Sequence, residues 1–267
     1  MTDSLKTIRV ICFGGAYLQP GARRFLAMLD AQPEVDLVAI LCEGQGQSYV
    51  YRLGDLWRRR GWLAPVVLIL EGTSIVLEFL RSPLEALNLR SAWRRVSRKV
   101  EWFPALNGPR AITRMHGLGP DLAVIYGGPL LNPEVFNLPR LGTLGIHHGR
   151  VPAYRGKKTT FWEIYHGESH AGITIQKVGA GIDTGEVVAT ALVEIGRRGY
   201  GSVWRDVERR GCHLFVQAVL DVHHGVSGPI PQDRALGSGK VFRQPGLWQL
   251  LSLRRHRRQA LQGSRAR

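Results

Sequence analysis

Cysteine is scarce in this 267-residue chain: Cys12, Cys42 and Cys212 are its three, and none forms a C-x-x-C pair. A scattered, odd set argues against a disulfide framework or a thiolate zinc site, and it fits a reduced, cytoplasmic compartment. Acidic residues are also short, 21 against 36 Lys and Arg, for a formal net charge of +15. Such a charge attracts nucleic acid, anionic lipid or a phosphorylated small molecule. Arginine carries most of the excess, so a GC-rich coding bias is an equal explanation. Long uncharged apolar runs are missing. The most apolar window, Trp62 to Leu80, contains Pro65, Glu71, Gly72 and Glu78. Two carboxylates at that depth argue against a lipid-spanning helix. The opening M-T-D-S-L-K-T-I-R-V-I-C-F has neither the apolar core nor the cleavage site of a signal peptide. Internal repeats are lacking, and Gly14-Gly15 is not part of a full G-x-G-x-x-G pattern, so a tight turn explains it.

What is there is ordinary for a globular protein: 44% hydrophobic and 21% charged residues, enough for one large domain with an appendage. Thr7 to Phe13 predicts a strand, followed by the Gly14-Gly15 turn, a helix with Phe25, Leu26 and Leu29 on its apolar face, and a second strand at Val35 to Leu41. That order opens a βαβ unit with a parallel sheet. Residues 48–99 differ in texture, with Arg58 to Arg60 and Arg94-Arg95 flanking Leu77, Phe79, Leu80, Leu84 and Leu87. They read as an insertion of two or three amphipathic helices, either a cap over the sheet or a membrane-surface or partner contact. Regular α/β texture is expected to return at Asp121, with strands at Leu122 to Tyr126, Thr143 to His147, Ala171 to Val178 and Val187 to Ile195. Ser202 is a candidate N-cap for a helix running to His223 and ending at Gly225. The divisions expected are a catalytic domain over 1–232, the helical insertion at 48–99, and a basic extension over 233–267 carrying Arg254, Arg255, Arg257 and Arg258.

The chemistry concentrates between Leu141 and Glu186. His147 ends one strand-like run, and Asp183 follows another inside Gly181-Ile182-Asp183-Thr184-Gly185. A histidine and a carboxylate at adjacent strand ends form a proton-transfer pair suited to acyl transfer onto an amine. The remaining histidines point elsewhere. His223-His224 fits a helix end, and His166 and His170 fit a surface turn, so no metal site is expected.

Over about 75 residues the chain resembles the formyltransferases that use 10-formyltetrahydrofolate, a family whose members act on methionyl-tRNA, glycinamide ribonucleotide or amino sugars attached to nucleotides. The resemblance rests on His147 at a strand end, on the loop Pro152, Tyr154, Arg155 and Gly156, and on the Gly-x-Asp-x-Gly turn around Asp183. It implies a Rossmann-like α/β formyltransferase fold with a mostly parallel sheet. It also implies 10-formyltetrahydrofolate as co-substrate and a small-molecule amine as acceptor. His147 and Asp183 become the catalytic pair, with Tyr154, Arg155 and Gly156 as a substrate loop. The folate is expected against Tyr126, Gly127, Gly128 and Leu130 on one side and Gly179, Gly181 and Ile182 on the other. The motif's asparagine is absent, because its position is Gly145. An oxyanion donor is typically worth roughly 3–4 kcal/mol, so a substitute is expected: His148, Lys157, Lys158 or a water. By elimination among acceptors an amino sugar on a nucleotide is favoured. A formyl-folate hydrolase and a non-catalytic binding relative stand as alternatives. The arginine clusters leave an anionic partner, a membrane surface or nucleic acid open. The sequence is silent on oligomeric state.

Overall fold

The computed structural model describes residues 7–44, 57, 83–226, 228–233, 235, 237, 239–246, 248–253, 255 and 256. Most of the expected insertion, including Arg58 to Arg60 and the window Trp62 to Leu80, lies outside the described residues, as do Arg254, Arg257 and Arg258 of the tail.

Strand β1 (Ile8–Gly14), helix α1 (Pro20–Asp30) and strand β2 (Val35–Glu43) form the expected parallel βαβ unit. Pro20 occupies the first turn of α1, where its missing N–H costs nothing. Phe25, Leu26 and Leu29, spaced for one helix face, are fully buried, and each such side chain contributes about 1.5–3 kcal/mol. Helix α2 (Pro83–Val96) packs on α1 and leads through a 3-10 turn (Ser97–Lys99) into β3 (Val100–Phe103). Regular α/β structure therefore resumes at Val100, earlier than Asp121. Four residues interrupted by Glu101 are too weak a pattern to announce this strand, which pairs in parallel with β2 at the sheet edge. Helix α3 (Pro109–Leu118) ends on Gly119, whose φ of 54° gives the left-handed cap.

Next come β4 (Leu122–Ile125), the short α4 (Pro133–Phe136), β5 (Thr143–His147), the two-residue β6 (Arg155–Gly156) and α5 (Thr159–Tyr165). The chain continues through β7 (His170–Lys177), β8 (Val187–Glu194), α6 (Tyr200–His224) and β9 (Val241–Phe242). The seven-stranded sheet has the order β3-β2-β1-β4-β5-β7-β8. Its first five strands are parallel, and β7 and β8 continue it antiparallel. Helix α6 starts at Tyr200, two residues before the expected cap, with Gly199 as N-cap, and it stops at Gly225 as expected.

Two apolar layers clamp the sheet. One joins Val10, Cys12, Leu144 and Ile175 to α1 and α6, where Phe25 stacks on Phe215 at 4.3 Å. The other joins Ile11, Phe13, Ala39 and Ala123 to α3. All three cysteines are free and buried; burial pushes the Cys42 and Cys212 thiols up to about 12, where they are unreactive. The chain after α6 returns over the molecule. Val187 pairs with Ile230, and β9 pairs in parallel with β6. Among the described residues no helix is long and apolar enough to cross a membrane.

Candidate active site

In open α/β sheets the carboxyl ends of the parallel strands are where ligands bind. Along β5 successive residues face opposite layers. Leu144 and Ile146 pack toward α1 and α6. Gly145 and His147 therefore face the α3 side, where Gly145 lies against Ile125. Antiparallel pairing sets Gln176 opposite Gly145 and Thr174 opposite His147. These four positions share one face.

His147 is 6% exposed. Its Nε2 lies 2.7 Å from the Tyr154 carbonyl oxygen. A carbonyl only accepts, so Nε2 carries a proton and donates. Nδ1 is then the nitrogen that faces Asp183 Oδ1, at 3.4 Å. That contact is attractive when a proton is held between ring and carboxylate. The two residues expected to form a pair, 36 positions apart, are brought together.

Asp183 is itself held from two sides. Its Oδ2 accepts the Gly156 N–H at 2.7 Å, and its Oδ1 accepts from Gln176 Nε2 at 3.1 Å. Its backbone sits at φ 50°, in the left-handed region. A non-glycine residue there costs about 1 kcal/mol or more, and it persists because the surroundings over-determine it. The turn closes because Gly185 lies directly on the Lys177 carbonyl, where an added Cβ would overlap the oxygen. Gln232, from beyond α6, donates its two Nε2 hydrogens to the carbonyls of Asp183 (2.9 Å) and Gly185 (2.8 Å), and the same nitrogen lies 3.3 Å from Gln176 Oε1. Its own Oε1 accepts from Arg155 Nη2 at 2.9 Å.

Each residue of the loop Tyr154, Arg155 and Gly156 reaches the centre differently. Tyr154 contributes its carbonyl, while its ring is buried against Phe242 and its hydroxyl donates to Glu168 at 2.9 Å. Arg155 acts on Gln232, and Gly156 offers its N–H to Asp183. Gly156 has φ 94°, and a Cβ there would strike the Phe242 carbonyl, so glycine is required for β9 to lie alongside.

The structure does not bring His148 to this cluster, which corrects its expected role as a substitute for the missing asparagine. The ring turns to the α6 side, with Nε2 3.3 Å from the Tyr126 hydroxyl and the ring 4.9 Å from Trp204. His148 is the first residue past β5, and its ring lies with Ile146 beside Gly211 of α6. Burial, then the neighbouring His147 and Lys158, lower its pKa to about 3. Lys158 Nζ lies over Trp204 on that same side, and the Lys157 side chain is exposed.

The two loops expected to meet folate flank β5. An added Cβ at Gly145 would touch Ile125 before one loop and Val178 before the other. Gly127, Gly128 and Gly181 are exposed, as are Leu130 (78%) and Ile182 (47%); Gly179 is half-buried. Tyr126 offers only backbone here, because its ring is buried beside Phe25.

Sequence reasoning missed several supports. The hydroxyls of Thr159 and Thr160 donate to the His148 carbonyl, and Thr174 donates to that of Gly149. Glu163 is fully buried, accepting the N–H groups of Arg150 and Gly172. Burial pushes its carboxyl up to about 8, although those donors and Arg150 pull it down. Gln176 and Thr174 were legible in principle: I-T-I-Q alternates, and its polar face is the face of His147. Gln232 had no local signal. At the far end of α6, His224 meets Glu34 at 2.5 Å with His223 nearby, an exposed group remote from this centre.

A strand-end histidine faces an aspartate in a glycine-bounded turn, on a mostly parallel sheet, and this arrangement lies in a segment with known relatives. Residues 96–219 match the family described as Formyl transferase. The methionyl-tRNA formyltransferase of Synechococcus sp. (strain JA-3-3Ab) is 32% identical over 127 residues, which is 47% of this chain and 39% of that protein. The chain thus aligns with about two fifths of that relative's length. A sugar N-formyltransferase from Shewanella sp. FDAARGOS_354 shares the fold with a TM-score of 0.57 at 13% identity, over 93% of this chain and 87% of that one. HypX from Aquifex aeolicus, in complex with tetrahydrofolic acid, shares it with a TM-score of 0.54 at 16% identity, over 91% of this chain and 30% of that one.

Proposed function

We propose that the chain transfers a formyl group from 10-formyltetrahydrofolate to a primary amine of a small substrate, an amino sugar attached to a nucleotide being the favoured acceptor. The observation that carries this reading is the His147–Asp183 pair at 3.4 Å, inside the segment that matches the Formyl transferase family. In the reaction the amine nitrogen bonds to the formyl carbon, the bond from that carbon to folate N10 breaks, and the proton lost by the amine ends on N10. Asp183 receives that proton from the amine, and His147, anchored by the Tyr154 carbonyl, shares it until it is passed on. Gly156 and Gln176 keep the carboxylate aimed. Exposed glycine backbone beside Leu130 and Ile182 suits a flat heteroaromatic ring, which supports folate there. The sugar acceptor is supported by the fold shared with the Shewanella enzyme.

In this reading the protein works in the cytoplasm. Its arginines at 58–60, 94–95 and 254–258 draw it to an anionic partner or membrane surface, with Arg94, Arg95 and Arg255 exposed. Binding to anionic vesicles should then fall steeply with added salt; salt-independent binding, or none at low salt, makes them ordinary surface charge.

The deciding experiment incubates the protein with 10-formyltetrahydrofolate and a panel of amines, following tetrahydrofolate and formate together. Tetrahydrofolate with formylated amine and little formate supports transfer. Formate released regardless of amine makes the protein a hydrolase. No turnover under any condition leaves a binding module.

A further inference from the structure

Formyl transfer builds negative charge on the formyl oxygen, and a donor aimed at that oxygen lowers the barrier. The face that carries His147 and Asp183 is short of such donors. Both ring nitrogens of His147 are engaged, by Tyr154 and by Asp183. Asp183 only accepts when ionised. Gly145 has no side chain, Thr174 spends its hydroxyl on the Gly149 carbonyl, and His148 lies on the other face. Gln176 is different. It stands directly across from Gly145 in the register of β5 and β7, and it is 7% exposed.

Its orientation is fixed by chemistry. A carboxylate cannot donate, so the nitrogen must face Asp183 Oδ1, at 3.1 Å. Gln232 Nε2 approaches the oxygen end at 3.3 Å, and Arg155 anchors Gln232 in turn. The amide nitrogen carries two hydrogens. One is directed to Asp183, and the second has no partner among the described residues. A shielded site makes a hydrogen bond from that second hydrogen worth more than it would be in water.

We propose that Gln176 is the donor to the formyl oxygen, one N–H of its carboxamide held by Asp183 and the other meeting the developing oxyanion. The carboxamide absent at Gly145 is thus supplied from the facing strand. The inference rests on the formyl-transfer reading above.

The test compares wild type with Gln176→Met, which keeps the length of the side chain and removes the donor. Turnover of 10-formyltetrahydrofolate should fall roughly a hundredfold to a thousandfold, with KM for the folate and the unfolding midpoint nearly unchanged. Gln176→Asn, which withdraws the carboxamide by one methylene, should give the same split and serves if the Met variant does not fold. Adding Gly145→Asn to Gln176→Met should restore much of the lost rate. Gly145 is in regular strand, and its added Cβ would meet Ile125 Cγ2 at 3.1 Å and Val178 Cγ2 at 3.4 Å, which small side-chain shifts accommodate. An active wild type with an equally active Gln176→Met overturns the inference and leaves the reading intact. So does a rate loss that only tracks lost folate binding. A wild type inert with every amine and with water overturns the reading, and the inference with it.

Discussion

His147 and His148 are neighbours in sequence, yet they occupy opposite worlds. His147 is ringed by oxygen acceptors on the α3 side, where its protons have places to go. His148 is wedged between Tyr126 and Trp204 on the α6 side, where burial favours the neutral ring and lowers its pKa to about 3. The residue type is the same, and a single step at the end of β5 sends one ring to the Asp183 side and the other to packing. A histidine at a strand end is therefore defined by its parity, not by its proximity to a motif.

The comparison is broken most directly at the pair itself. His147→Ala and Asp183→Ala should each lower turnover by roughly 10²–10⁴-fold. The double variant should be little worse than either single, because both changes disable one step. Near-normal turnover in Asp183→Ala would return His147 to a structural role.

The His147 side also depends on the turn that carries Asp183. Gly185→Ala forces a methyl group onto the Lys177 carbonyl. Overpacking of this kind typically costs about 3 kcal/mol, and turnover should fall with it because Asp183 moves. Urea unfolding and steady-state rates on the same preparation check both. A fully active, equally stable Gly185→Ala would show that the turn has slack.

The His148 side should show itself in stability rather than in rate. His148 binds its proton more weakly in the folded chain than in the unfolded one, where its pKa is 6.5. The unfolded state therefore holds more protons between pH 6.5 and 3, and stability falls as pH drops through that window. From pH 7 to pH 5 the loss from this one group is about 2 kcal/mol. Glu163 acts in the opposite sense. Its carboxyl is raised to about 8, so its contribution is present below pH 4.5 and is lost as pH rises through 8. His148→Phe should remove the acid-side loss while turnover at neutral pH stays near wild type. Comparing urea midpoints at pH 5 and 7 for both proteins isolates the difference. An unchanged pH dependence would mean that His148 is solvated, and a collapse in turnover would return it to the active site.

Much of this arrangement was legible from local pattern. The run of β-branched residues before Gly14-Gly15, the spacing of Phe25, Leu26 and Leu29, and the strand ending at His147 each follow from a period of 2 or 3.6 that survives without context. The link between His147 and Asp183 was legible because a short glycine-bounded turn leaves its carboxylate few places to go. Strand β3 was not, since V-E-W-F becomes a strand only when β2 offers it an edge. The turn of His148 away from the cluster was half legible, as strand alternation forbids neighbours from sharing a face, but nothing local says where the strand ends.

The sequence by itself determined the long central elements, their order, and the two side chains able to hold a proton between them, because periodicity, turn residues and ionisable groups are properties of short stretches of chain. Only the tertiary structure decided what surrounds those groups. It put Gln176 across from the side-chainless Gly145, brought Gln232 back from beyond α6 to clamp the Asp183 turn, and laid β9 along β6. These partners are 31, 49 and 86 residues apart, counted between Gly145 and Gln176, Asp183 and Gln232, and Gly156 and Phe242. No local pattern encodes such pairings, because they arise only when the whole sheet is assembled and its backbone groups must find partners.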